Sequence, residues 1–228
     1  MMTPVAVPSL KVERELFGAG APVVLACDEV GRGALAGPVA VGLVIIDAGV
    51  RRMPAGLRDS KLLSEPRRKA MAPKASSWVR GWAVGEASAA EIDELGIMVC
   101  LGLAGARAFA ALSAVEDAVA DAPLILDGNY DWLSASIEHR VRVTTRIKAD
   151  RDCASVAAAS VIAKVHRDGG MRRAHEQLPV YGWNENKGYS TPAHFAAIDE
   201  HGPRELHRTT WLHERPADAL TLFDLGVG

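Results

Sequence analysis

Cysteine is scarce in this chain, with three residues in 228, and Cys27, Cys100 and Cys153 are widely spaced with no Cys-x-x-Cys pair. That pattern gives neither a disulfide framework nor a structural zinc site, and it suits a reducing compartment. Long apolar runs are also missing, and the opening MMTPVAVPSLKVERELF lacks the basic flank and continuous apolar stretch of a signal peptide. A cytoplasmic protein with no membrane partner is expected. Positive charge is not in excess either: 26 Lys and Arg stand against 28 Asp and Glu, a formal net charge of -2. Bulk electrostatics alone therefore cannot hold nucleic acid. No Ser-His-Asp or Cys-His arrangement stands out, and His166, His175, His194, His201, His207 and His213 are scattered. What is present is an apolar share of 49% and a mean hydropathy of +0.06, enough for a sizeable core. The cations are uneven: Arg140, Arg142, Arg146, Lys148, Arg151, Lys164, Arg167, Arg172 and Arg173 face only Asp150, Asp152 and Asp168. That stretch is either a solvated helix face or a nucleic-acid patch.

Along the chain, 21–27 and 36–46 read as strands from their apolar and β-branched runs. Residues 63–75 read as a short helix with Ser64 as N-cap and Pro66 in its first turn, broken at Pro73. A third strand is expected over 78–88, a long buried helix over 97–117, a compact strand over 123–128 and another over 140–150. The Ala-rich stretch that follows predicts a helix to about Gln177, with Ala157, Ala158, Ala159 and Ala163 suited to close packing on a sheet. Strands interleaved with helices indicate an α/β domain with a mixed sheet. Residues 1–178 are expected to form the domain, and 179–228 a C-terminal helical and loop extension with a short helix from Thr191.

The strongest local feature is CDEVGRGALAGP at 27–38, where Asp28 and Glu29 end an apolar strand and run into Gly31-Arg32-Gly33. Two anions at the edge of an apolar sheet cost desolvation and mutual repulsion unless a cation compensates them. Alone, the segment is equally an exposed turn. Successive strand residues point to opposite faces, so Asp28 and Glu29 share a site only if the strand ends there. Asp127 also ends a strand, where Asp-Gly is commonly a turn. Asp150 starts the Ala-rich helix and is either a cap or, if Asp152 or Ser155 takes that role, free to point back to the sheet. Together, Asp28, Glu29, Asp127 and Asp150 make an all-oxygen set suited to Mg2+ or Mn2+ and to phosphate chemistry. In such sites two ions about 4 Å apart activate a water and stabilise the leaving oxygen.

The blocks CDEVGRGALAGPV, LRDSKLLS, ILDG, KADRDCASVAAASVIAKVHRD, YGWNENKGYSTPAH and HGPRELHR occur in one order between about 22 and 208. In these the chain resembles bacterial ribonuclease HII, the type 2 ribonuclease H. The resemblance implies a ribonuclease H-like α/β fold with a mixed five-stranded sheet flanked by helices and followed by a helical C-terminal extension. It implies metal-binding, catalytic roles for Asp28, Glu29, Asp127 and Asp150. It implies that Gly31, Arg32 and Gly33 recognise the ribonucleotide at an RNA–DNA junction, that Tyr189 packs on the sugar beside the 2'-hydroxyl, and that Ser60 and Lys61 bind phosphate. Lys164 and Arg167 either track the DNA strand, stay solvated or pair with Asp168. The implied reaction is two-metal hydrolysis 5' of a ribonucleotide in RNA/DNA hybrids and in DNA containing ribonucleotides, by a monomer. Ribonuclease HIII, the nearest alternative, is expected to carry an additional N-terminal substrate-binding domain, for which little chain precedes the first strand here.

Overall fold

A computed structural model of the chain describes residues 7–137 and 141–212. Five strands, β1 Val23–Val30, β2 Val39–Asp47, β3 Gly81–Ala87, β4 Leu124–Asp127 and β5 Val143–Arg146, form one sheet in the order β3-β2-β1-β4-β5. β2 is antiparallel to β1 and β3, whereas β4 is parallel to β1 and β5. The mixed five-stranded sheet expected from the family blocks is therefore present. The helices are α1 Lys11–Gly18, α2 Glu65–Trp78, α3 Ala89–Leu95, α4 Ile97–Ser113, α5 Ala149–Asp152, α6 Ala154–Gln177, α7 Trp183–Asn186 and α8 Pro192–His201.

The alternation of β1 divides the core in two. Val23, Leu25 and Cys27 pack with Leu101, Ala104 and Ala108 of α4, while Val24 and Ala26 pack with Ala157, Ala158 and Ala159 of α6. The small residues of α6 let it lie close to the sheet, as their sequence suggested. A Cβ added at Gly42 of β2 would stand 2.6 Å from the Ala159 carbonyl oxygen and 2.9 Å from Ala163 Cβ. A third cluster, with Met171, Tyr181, Trp183, Ala197 and Ile198, packs the end of α6 against the segment after 178. Within that segment Thr191 caps α8, its hydroxyl accepting from the His194 amide at 3.1 Å.

Three local expectations are corrected. α2 does not break at Pro73 but runs on to Trp78. Proline removes a single helical hydrogen bond, and this loss is outweighed where Met71 and Ala75 are buried on one face and the Trp78 indole donates to the Arg51 carbonyl at 2.9 Å. β5 is shorter than the expected strand because Lys148, at φ +60, turns the chain out of extended conformation into α5. β1 does not end at Asp28–Glu29, because its pairing with β2 continues to Val30 opposite Ala40. Only the β4 side stops early, at Cys27 opposite Leu126.

Candidate active site

That early stop creates the site. One residue past the last β1–β4 pair, Asp28 and Asp127 stand side by side on neighbouring strands, about 5 Å apart in backbone spacing, on the face covered by α6. Glu29 has the opposite parity and lies at the open edge. Its amide donates to Asp28 Oδ1 at 2.9 Å. Asp150 arrives from α5, and its amide donates to Asp127 Oδ1 at 3.4 Å. The capping alternative for Asp150 does not hold: Lys148 and Cys153 occupy the two cap positions, Asp152 pairs with Arg146 at 2.6 Å, and the Ser155 amide and hydroxyl donate to Glu13 of α1. The Asp150 carboxylate instead lies 3.8 Å from Lys61 Nζ.

Electrostatics mark the acids as an undercompensated group. Burial, then the charges of Glu29 and Asp127, push the Asp28 carboxyl well above its ordinary range, against opposition from the Ser160 hydroxyl and Lys61. Burial and Asp127 raise Glu29, and burial raises Asp127 despite backbone N–H groups at Asp150 and Ala149. Asp150 is raised to about 6 by burial, Asp127 and Asp59. Burial would lower Lys61, but Asp28, Asp150, Asp59 and Asp127 together raise it. Among the described residues no three His, Cys, Asp or Glu side chains are drawn into a ready-made metal cluster. The donor chemistry nevertheless fits a hard divalent cation, because Asp28, Glu29, Asp127 and Asp150 offer only carboxylate oxygens, whose shared cost is uncompensated negative charge.

Beside these acids is a hollow of about 220 Å³ lined by Glu29, Val30, Gly31, Arg32, Gly33, Ser60, Lys61, Lys164 and Tyr189. Each of the six residues expected at the substrate lines it. Ser60 and Lys61 sit on a 3-10 turn over Ser60–Leu62, whose start is held by Asp59 Oδ1 accepting from the Lys61 amide at 2.8 Å. The Ser160 hydroxyl of α6 lies 2.9 Å from that of Ser60. The ring of Tyr189 has Lys164 Nζ and Arg167 Cζ each 5.4 Å from its centroid. Gly188 brings Tyr189 there. At φ +84 its carbonyl accepts from the Leu35 and Ala36 amides, and a Cβ would stand 2.2 Å from the Ala36 oxygen.

Two arginines carry the glycine loop, and sequence reasoning missed both in this role. Arg167, fully buried, donates from Nε to the Pro38 carbonyl at 2.7 Å, from Nη1 to Lys187 at 3.0 Å and from Nη2 to Ala36 at 3.0 Å. It does not track DNA. Arg208, also fully buried, donates to the carbonyls of Gly31 at 2.7 Å, Arg32 at 2.8 Å and Gly37 at 3.0 Å. Burial lowers its pKa to about 10. With the carbonyls of Gly31 and Arg32 turned inward, the amides of Arg32 and Gly33 have no acceptor among the described residues. Lys164 pairs with Asp168 at 2.6 Å. The basic stretch is thus largely satisfied within the protein: Arg146 pairs with Asp152, Arg151 with Asp59 and Arg172 with Glu65, while Arg140 lies outside the described residues.

The ribonuclease HII family model matches residues 25–214, which contain both the acids and the hollow. Ribonuclease HII of Streptomyces griseus is 46% identical over 210 residues, covering 90% of this chain and 84% of its own length. That of Dechloromonas aromatica is 42% identical over 192 residues, covering 83% and 92%. The crystal structure of ribonuclease H2 from Pyrococcus horikoshii is similar with a TM-score of 0.66 and 25% identity, over 83% of this chain and 93% of that one. On its sheet, its sequence and its matched span, the chain belongs to the ribonuclease HII family.

Proposed function

We propose that the enzyme hydrolyses the phosphodiester on the 5' side of a ribonucleotide, in RNA/DNA hybrids and at ribonucleotides embedded in duplex DNA, leaving 3'-hydroxyl and 5'-phosphate ends. Family membership makes it a ribonuclease H. The observation that supports the finer reading is that Gly31, Arg32, Gly33, Ser60, Lys61 and Tyr189 line one hollow together with Glu29, with Lys61 3.8 Å from Asp150. Asp28, Glu29, Asp127 and Asp150 would hold Mg2+ or Mn2+, two ions with substrate, which supply water activation and stabilisation of the leaving oxygen when bound.

The chain's own residues do the rest. Lys61, exposed at its tip and attracted by four acids, sets a positive charge where a phosphate enters. The Ser60 hydroxyl, fixed by Ser160, offers that phosphate a hydrogen bond. The outward amides of Arg32 and Gly33 can meet a 2'-hydroxyl, the one group that marks RNA at a single nucleotide. The half-buried Tyr189 ring presents a flat apolar face to the sugar. We read the enzyme as a cytoplasmic monomer that begins the removal of ribonucleotides from DNA.

The test is a duplex carrying one ribonucleotide, incubated with Mg2+ or Mn2+. A single cut 5' of the ribonucleotide with a 3'-hydroxyl end is expected, lost in Asp127→Asn. Cleavage that persists in that variant, or a cyclic phosphate product, would refute the assignment.

A further inference from the structure

A larger groove, of about 860 Å³, is lined by Leu62 of the 3-10 turn and by α2. Its floor includes Leu62, Ala70 and Met71, and its cationic lining is Arg58, Arg67 and Lys74. Arg67, Ala70, Met71 and Lys74 fall at i, i+3, i+4 and i+7 of α2, so they share one helix face, with the two cations about 10 Å apart along the axis. No carboxylate lines the groove among the described residues. The flanking acids are engaged elsewhere: Asp59 with the Lys61 amide and Arg151, and Glu65 with Lys69, Arg172 and Lys187. Arg67 and Lys74, both exposed and with no ion pair among the described residues, make this concave surface a site for an extended polyanion.

The groove and the hollow adjoin at the 3-10 turn over Ser60–Leu62. Lys61 lines the hollow and Leu62, the next residue, lines the groove. Arg68 of α2 fastens the two together, donating from Nη1 to the carbonyls of Ser60 at 2.9 Å and Leu63 at 2.8 Å. A strand crossing Lys61 therefore meets a rigid cationic path on α2. We infer that this groove binds the sugar–phosphate backbone of the duplex flanking the cleavage site, through Arg67 and Lys74. The inference rests on the active-site reading above and extends its footprint by one or two phosphates.

The test uses the full chain with Arg67→Glu/Lys74→Glu, and a milder Arg67→Ala/Lys74→Ala pair should charge reversal disturb folding, judged by urea unfolding. Two duplexes carry one ribonucleotide each: a short one ending close to it and a long one extending two helical turns beyond. On the long duplex KM should rise about tenfold, and the slope of log kcat/KM against log salt should flatten by about two, near 0.9 per phosphate contact. On the short duplex KM and kcat should not change. A long-duplex KM within twofold of the parent, or an equal rise on both duplexes, overturns the inference. If the parent cuts neither duplex, the active-site reading fails on its own. An all-DNA duplex titration then reads the groove, weaker binding by the variant supporting it and equal binding refuting it.

Discussion

Replacing Arg167 by Lys tests whether the glycine loop is held in place by buried guanidinium groups. The substitution keeps the charge and most of the stem, so it asks only about the fork. In the parent the guanidinium satisfies three carbonyls drawn from two segments, Ala36 and Pro38 on one side and Lys187 on the other. A lysine ammonium reaching from the same position can serve one of those directions, leaving about two buried carbonyls without a donor. At about 1.5–3 kcal/mol for each hydrogen bond to a charged group, the loss is about 3–6 kcal/mol, a large share of the 5–15 kcal/mol typical of a domain. Urea unfolding of the full chain reads it as a lower midpoint at unchanged slope, with Arg173→Lys as an exposed control. Gly31→Ala supplies the partner of a double-mutant cycle. Gly31 has φ +83, and an added Cβ would stand 2.1 Å from Arg167 Nε. Gly31→Ala should therefore cost less beside Arg167→Lys than alone. A loss under about 1 kcal/mol for Arg167→Lys, or strict additivity with Gly31→Ala, would refute the argument.

Other outcomes follow from the same geometry. Asp28→Asn removes a buried charge that burial and like charges disfavour, so in metal-free buffer it should raise the thermal midpoint while abolishing divalent-dependent cleavage; a lowered midpoint would contradict the electrostatic account. His207, buried, is lowered to about 4 by burial and by His194. Below an unfolded pKa of about 6.5 the unfolded chain binds a proton that the folded chain refuses. The contribution of His207 is thus complete above that pH and is lost as pH falls towards 4, up to about 3 kcal/mol. Urea midpoints at pH 7.5 and 4.5 should fall further for the parent than for His207→Gln, and equal falls would refute it. Gly42→Ala should cost about 1–3 kcal/mol by overpacking β2 against α6, read by thermal melting.

Much of the fold was legible because it follows local pattern. The apolar run of β1, the small residues of α6 and the Thr191 cap each state their structure within a few residues. Pro73 and Lys148 were not legible, because one yields to the burial of Met71 and Ala75 and the other is a rare left-handed lysine. The six expected substrate residues converge on one hollow, since their blocks lie on turns that the sheet edge gathers. Arg167 and Arg208 gave no signal: a cation in a helix and another in a polar loop read as surface, and only carbonyls remote in sequence make them interior.

By itself, the sequence determined the residue types of the proposed chemistry, four carboxylates beside a Gly-Arg-Gly loop, and the order of blocks that marks the family. Tertiary structure alone decided how they meet. β1 parts from β4 one residue before Asp28, which puts Asp127 beside it. Cys153 and Lys148 take the cap positions, which frees Asp150, and the two buried arginines turn the loop carbonyls inward. Each of these depends on which long-range partner satisfies a buried polar group, and a linear pattern does not carry that information.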